Sequence, residues 1–147
     1  MENTIKDELA IRNLVASYAD AVNRRDGVLW ASTWADEATW ELMGNEIKGK
    51  QAVFEMWEKA MNGFDFVAQL IYQGTLQFQG ATATGRWYLT EHLRPNGSEG
   101  GRCTIGTYAD RYQCMNGEWL FMSRRYNVLY DDKGKGDMSG LVMPAPF

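Results

Sequence analysis

The chain has 147 residues, 45% hydrophobic and 23% charged, with a formal net charge of −4 at pH 7. That length suits one domain with a real core, and an acidic balance without a Lys/Arg run excludes nucleic acid and anionic membrane surfaces as expected partners. Two cysteines, Cys103 and Cys114, and a single histidine offer neither a disulfide framework nor a His/Cys metal site, so no metal is expected.

The N-terminal run MENTIKDELA is charged and lacks the apolar core of a signal peptide. No later run approaches a membrane span, and a reduced, cytoplasmic protein is the expectation. Aromatic residues make up 13% of the chain, with six Trp and eight Met. Either the core is built from rings, or an apolar cavity takes a flat ligand.

A first helix is predicted from about Thr4 to Arg25, because Ile11, Leu14, Val15, Tyr18 and Val22 recur at the three-and-four spacing of one buried stripe. Thr4 and Asp7 form a capping-box pattern. Asp26 is placed to cap a short second helix through Leu29, Trp30 and Trp34. A strand follows over Ala38 to Met43, ended by Gly44. Lys50 to Met61 reads as a third helix with Val53, Met56, Trp57 and Ala60 on one face. Two strands are predicted near Phe66–Gln73 and Thr75–Gln79. From Thr82 to Tyr126 come three long extended arms, separated by the loop Pro95 to Gly101 and by Asn116-Gly117, a pair suited to a tight hairpin. The domain is expected over residues 1–132, with 133–147 as a C-terminal tail. Helices first and strands afterwards give the α+β class, helices packed on one face of a mostly antiparallel sheet.

Several motifs in this order resemble a known family. The first helix ends at Asn-Arg-Arg-Asp, followed by Trp30 and then Trp34-Ala35-Asp36-Glu37-Ala38-Thr39-Trp40. Gly49 opens the third helix, and the arms carry Gly106-x-Tyr108-x-Asp110-x-Tyr112 and Asn116-Gly117-x-Trp119. Together they resemble the SnoaL-like branch of the nuclear transport factor 2-like superfamily, over about Ile5 to Asp132. The run Thr82-Ala83-Thr84-Gly85-Arg86-Trp87-Tyr88-Leu89 is similar to that of bile-acid 7α-dehydratases. Scytalone dehydratases and the dehydrochlorinases of chlorinated cyclohexanes are more distant likenesses. The resemblance implies a cone-shaped α+β barrel, a deep pocket at its open end, homodimers or homotrimers formed through sheet faces, and chemistry without a cofactor.

In those dehydratases an Asp at the end of the first helix pairs with a His on the first long strand. Here Asn23 and Gln69 stand at these positions, and a carboxamide takes no proton at neutral pH. Val128 replaces an Arg of the last strand. Tyr18 matches a catalytic tyrosine and Glu91 a pocket aspartate. Alternation puts Trp87, Leu89 and Glu91 on one strand face, which the resemblance turns inward, and His92 on the other. Tyr108 shares a face with Thr104, Gly106 and Asp110. The expected catalytic set is therefore Glu91 as acid/base with Tyr18 and Tyr108 as donors. The expected substrate-binding set is Asn23, Gln69, Trp40, Met43, Trp57, Tyr72 and Trp87, with Gly106 leaving room for ligand.

The function expected from this set is a cofactor-independent lyase or isomerase acting on a lipophilic hydroxy-carbonyl compound such as a steroid or polyketide. The alternatives are a non-catalytic small-molecule binding protein on the same scaffold and, lower in rank, an assembly subunit of a larger redox enzyme.

Overall fold

A computed structural model describes residues 2–135 and residue 144. The first helix, α1 (Ile5–Arg24), begins at Thr4, whose hydroxyl accepts from the Asp7 amide while the Asp7 carboxylate accepts from the Thr4 amide. Ile11, Val15, Tyr18 and Val22 of the predicted stripe are buried, and Leu14 packs half-buried against the same core. The helix ends at Arg25 in the left-handed region, with φ of 55°. Asp26 caps α2 (Gly27–Ser32), its Oδ1 accepting from the Leu29 amide at 3.0 Å.

The second helix stops short of Trp34, which instead opens β1 (Trp34–Leu42). Trp34 pairs with Phe121 on the last strand, and the Phe121 amide reaches back to the Thr33 carbonyl. Those inter-strand bonds override the local helical spacing. The positive φ of Met43 and Gly44 then turns the chain into β2 (Asn45–Lys48), an edge strand that four mostly polar residues do not announce. Gly49, with φ of 87°, enters α3 (Lys50–Met61) without a side-chain cap.

A single strand, β3 (Phe64–Gln79), replaces the two predicted on either side of Gly74. Its register shifts between Ile71 and Gly74, and a Cβ on Gly74 would stand 2.4 Å from the Trp87 ring. Glycine here lets β3 pass over Trp87 through a bulge instead of ending. The arms are β4 (Thr82–Pro95), β5 (Arg102–Met115) and β6 (Glu118–Asp131). Asn116 and Gly117, with φ of 53° and 82°, form the turn between the last two. Of the tail expected over 133–147, only 133–135 and residue 144 lie among the described residues.

The strands form one sheet in the order β2-β1-β6-β5-β4-β3, antiparallel except between β1 and β6. Bulges in β3 and β6 bend the sheet, and the helices fill its concave face. Much of the aromatic excess sits there. Trp30 stacks on Trp57 at 4.7 Å between ring centroids and 13° between planes, with Trp34, Trp40 and Tyr18 packed round Trp30. Such pairs contribute about 0.5–1.5 kcal/mol each beyond their area. The fold is the mixed α+β cone that the sequence led us to expect.

Candidate functional site

Alternation along four neighbouring strands builds a polar row on the concave face. Gln69 of β3 is paired with Glu91 of β4, Glu91 with Thr104 of β5, and Thr104 with Asp131 of β6. All four line a cavity of about 230 Å³. The rest of its wall is mainly apolar: Val22 from α1, Trp57 and Met61 from α3, Trp40 from β1 and Leu93 from β4, with Tyr18, Tyr108 and Tyr126 as phenols.

Glu91 holds the most chemistry. Its Oε1 accepts from the Tyr126 hydroxyl at 2.6 Å and its Oε2 from Gln69 Nε2 at 3.0 Å. The same Gln69 nitrogen donates to the Tyr108 hydroxyl oxygen at 3.0 Å. Neither an Arg nor a Lys pairs with Glu91 among the described ion pairs. A half-buried carboxylate is thus held by neutral donors inside an apolar wall. Burial raises the hydroxyls of Tyr18, Tyr108 and Tyr126 above the usual phenol value, and Glu91 adds to the rise. All three keep their protons at neutral pH and act as donors.

Beneath the phenols lies a second, closed network. Arg124 is wholly buried and forms a two-pronged pair with Asp110, Nε to Oδ1 at 2.8 Å and Nη2 to Oδ2 at 2.9 Å. Tyr112 donates to Asp110 at 2.6 Å and accepts from the Trp87 indole at 2.7 Å. The guanidinium carbon sits 3.6 Å from the Tyr108 ring centroid and 4.3 Å from that of Tyr18. A cation therefore underlies two rings that front the cavity. Burial pushes the Asp110 carboxyl up while Arg124 pulls it down. The bidentate pair keeps it ionised, because the guanidinium does not give up its proton.

Of the expected catalytic set, Glu91, Tyr18 and Tyr108 all line the cavity, as do Gln69, Trp40, Met43 and Trp57. The other four expected binding residues lie outside its wall. Asn23 spends its amide on the backbone of Gln69, donating to the carbonyl at 2.9 Å and accepting from the amide at 2.7 Å. It clamps α1 to β3. Tyr72 is 55% exposed on the outer face of the sheet, because the alternation of β3 that turns Gln69 inward turns Tyr72 outward. Trp87 is buried in the network beneath. At Gly106, a Cβ would stand 2.6 Å from the Tyr126 ring, so the missing side chain makes room for Tyr126 and not for ligand.

His92, the lone histidine, is exposed on the opposite face from Glu91. Sequence reasoning missed Tyr126, Thr104 and Asp131 as cavity residues. The alternation Arg124, Tyr126, Val128 along β6 was the available signal for Tyr126. Among the described residues, no three His, Cys, Asp or Glu side chains cluster as a metal site would require. No helix among them is long and apolar enough to cross a membrane.

The family model of the SnoaL-like domain matches residues 3–125. The chain belongs to the SnoaL-like family. No curated protein matches the sequence, but the fold is shared with solved structures. A hexachlorocyclohexane dehydrochlorinase, LinA-type3 from Novosphingobium barchaimii LL02, superimposes with a TM-score of 0.81 at 17% identity, covering 97% of each chain. A candidate scytalone dehydratase from Novosphingobium aromaticivorans DSM 12444 gives a TM-score of 0.80 at 15% identity, over 86% of this chain and 87% of that one. An Asp→Asn variant of Rv3472, a protein of unknown function from Mycobacterium tuberculosis, is 26% identical, with a TM-score of 0.75 over 83% of this chain and 71% of that one. This SnoaL-like chain thus shares its fold with dehydrochlorinases.

Proposed function

We propose that this SnoaL-like protein is a cofactor-independent lyase or isomerase that removes an acidic proton from a neutral, lipophilic hydroxy-carbonyl compound. The observation that carries the reading is Glu91: a carboxylate in an apolar cavity, bonded only by neutral donors, beside phenols that remain protonated. Glu91 takes the proton α to the substrate carbonyl, and the C–H electron pair moves into the carbon–carbon bond of an enolate. Tyr18 and Tyr108 donate to the enolate oxygen, where negative charge develops. Collapse of the enolate expels the β-hydroxyl, which leaves with the proton returned from Glu91 as water. Where the enolate is conjugated with a further carbon–carbon double bond, return of that proton to the γ-carbon, without loss of the hydroxyl, gives the isomerase outcome.

A cavity of about 230 Å³ is smaller than the ~300–1,000 Å³ usual for small-molecule pockets. It favours a compact compound of one or two rings, such as a polyketide fragment, over a steroid. A non-catalytic binding role is the second reading, favoured by the absence of an imidazole from the described cavity wall. Mass spectrometry on a panel of neutral hydroxy-ketones separates the two. Loss of water or isomerisation at constant mass supports the lyase reading, and binding by thermal shift without conversion supports the carrier. Self-association through the outer sheet face completes the proposal. Phe66, Leu70 and Tyr72 expose apolar surface along the outer side of β3, and light scattering reading a monomer would remove it.

A further inference from the structure

Gln69 occupies the centre of the polar row, only 6% exposed. Its Nε2 bonds to both Glu91 and Tyr108, while its Oε1 is buried with no partner. A buried acceptor left unpaired is unfavourable, and most such groups find a donor. The orientation is nevertheless the only one an ionised Glu91 permits. A carboxylate solely accepts, so the nitrogen must face it. Because the Tyr108 oxygen accepts from that same nitrogen, the hydrogen of Tyr108 is left for some acceptor other than Gln69.

A proton on Glu91 reverses the preference. The opposite orientation then lets Oε1 accept from the Glu91 acid and from the Tyr108 hydroxyl together, and the Tyr108 hydrogen is taken up. We infer that the Gln69 amide is a proton-coupled selector in the ligand-free cavity: it leaves Tyr108 free to donate while Glu91 is a base, and takes up the Tyr108 hydrogen when Glu91 holds a proton and no substrate oxygen accepts from Tyr108. Gln69 is on this account a positioning residue, acting through Glu91 and Tyr108. The inference rests on the reading of Glu91 as the proton acceptor. It also gives position 69 a role that the loss of an imidazole would otherwise leave empty.

The other ionisable groups near Glu91 are Tyr18 on α1, Tyr108 and Arg102 on β5, and Tyr126 and Asp131 on β6. The Asp110–Arg124 pair lies behind the rings. Burial raises the three phenols, so they stay neutral throughout an acid titration. Asp110 and Asp131 are carboxylates, and glutamate-selective labelling separates their titration from that of Glu91.

The test is NMR of the ligand-free protein carrying 13C-carboxyl glutamate and 15N-side-chain glutamine, titrated from neutral pH into the acid range. Glu91→Gln and Gln69→Met variants assign the two signals. The expected result is that the Gln69 amide proton and nitrogen shifts move with the same midpoint as the Glu91 carboxyl. In Glu91→Gln the Gln69 shifts should stay flat across that range. Gln69 signals that remain fixed while Glu91 protonates would overturn the inference, as would movement that follows a different midpoint. Co-titration in a protein that converts no hydroxy-ketone would leave the selector in place and remove the lyase reading alone.

Discussion

At the scale of single residues, the site depends on what holds Glu91. Tyr126 supplies the shorter of its two hydrogen bonds, at 2.6 Å, and stands there because Gly106 has no side chain. Adding one methyl group tests that dependence. Gly106→Ala places a carbon 2.6 Å from the Tyr126 ring and 3.0 Å from the Asn127 carbonyl, and overpacking of this kind costs about 1–3 kcal/mol. The ring must move, and Glu91 loses its Tyr126 donor. We expect denaturant unfolding to report that destabilisation, with turnover falling about tenfold or more for the lost preorganisation. Tyr126→Phe should reproduce the drop in turnover with a smaller change in stability. Unchanged turnover in both variants would show that Tyr126 is packing alone.

At the scale of elements, the sequence was most legible where local chemistry decided the outcome. The Thr4–Asp7 capping box, the Asp26 cap, the bounds of α3 and the Asn116-Gly117 turn all form as their residue types dictate. It was least legible where a distant strand decided. Trp34 follows helical spacing but is captured by β6, and the break expected at Gly74 is absorbed by a bulge over Trp87. Alternation grouped Trp87, Leu89 and Glu91 on one face of β4 and the family resemblance turned that face inward, whereas Tyr126 needed knowledge of which strand lies beside β5. The place of Asn23 outside the cavity wall was hidden for a related reason, since its partner is a backbone 46 residues away.

Asp7 joins two of these elements. Its carboxylate accepts from the Thr4 amide and, across the molecule, from the Trp119 indole on β6 at 2.9 Å. The Trp119 and Thr4 bonds hold its carboxyl below the usual value of 3.8. A depressed folded-state value means that the unfolded chain binds the proton more readily. The stabilisation is therefore present above the unfolded value and is lost as the pH falls through the folded one. Replacing Asp7 with Asn should flatten the fall in melting temperature over that acid window while leaving its slope near neutrality unchanged. An identical acid limb in the variant would contradict this linkage.

At the scale of the whole molecule, the cavity floor is supported by a buried charge pair instead of an apolar plug. Arg124 and Asp110 join β6 to β5, and the guanidinium underlies the rings of Tyr18 and Tyr108. Removing one partner strands the other, so Arg124→Met should cost about 3–5 kcal/mol, read from denaturant unfolding. Pairing it with Asp110→Asn should recover part of that loss by removing the stranded charge. A strictly additive double variant would show that the pair is not the coupled unit the geometry describes.

Proton transfer by Glu91 is the step on which the proposed function turns. Its most direct measurement is deuterium uptake from heavy water at the α-carbon of a compact ketone that binds but lacks a leaving group. Uptake is expected with the wild type, with a loss of roughly 10²–10⁴-fold in Glu91→Gln, the range ascribed to general acid–base catalysis, and affinity for the ketone retained. Equal uptake in the two proteins, or bound ketone exchanging no faster than in buffer, would contradict it.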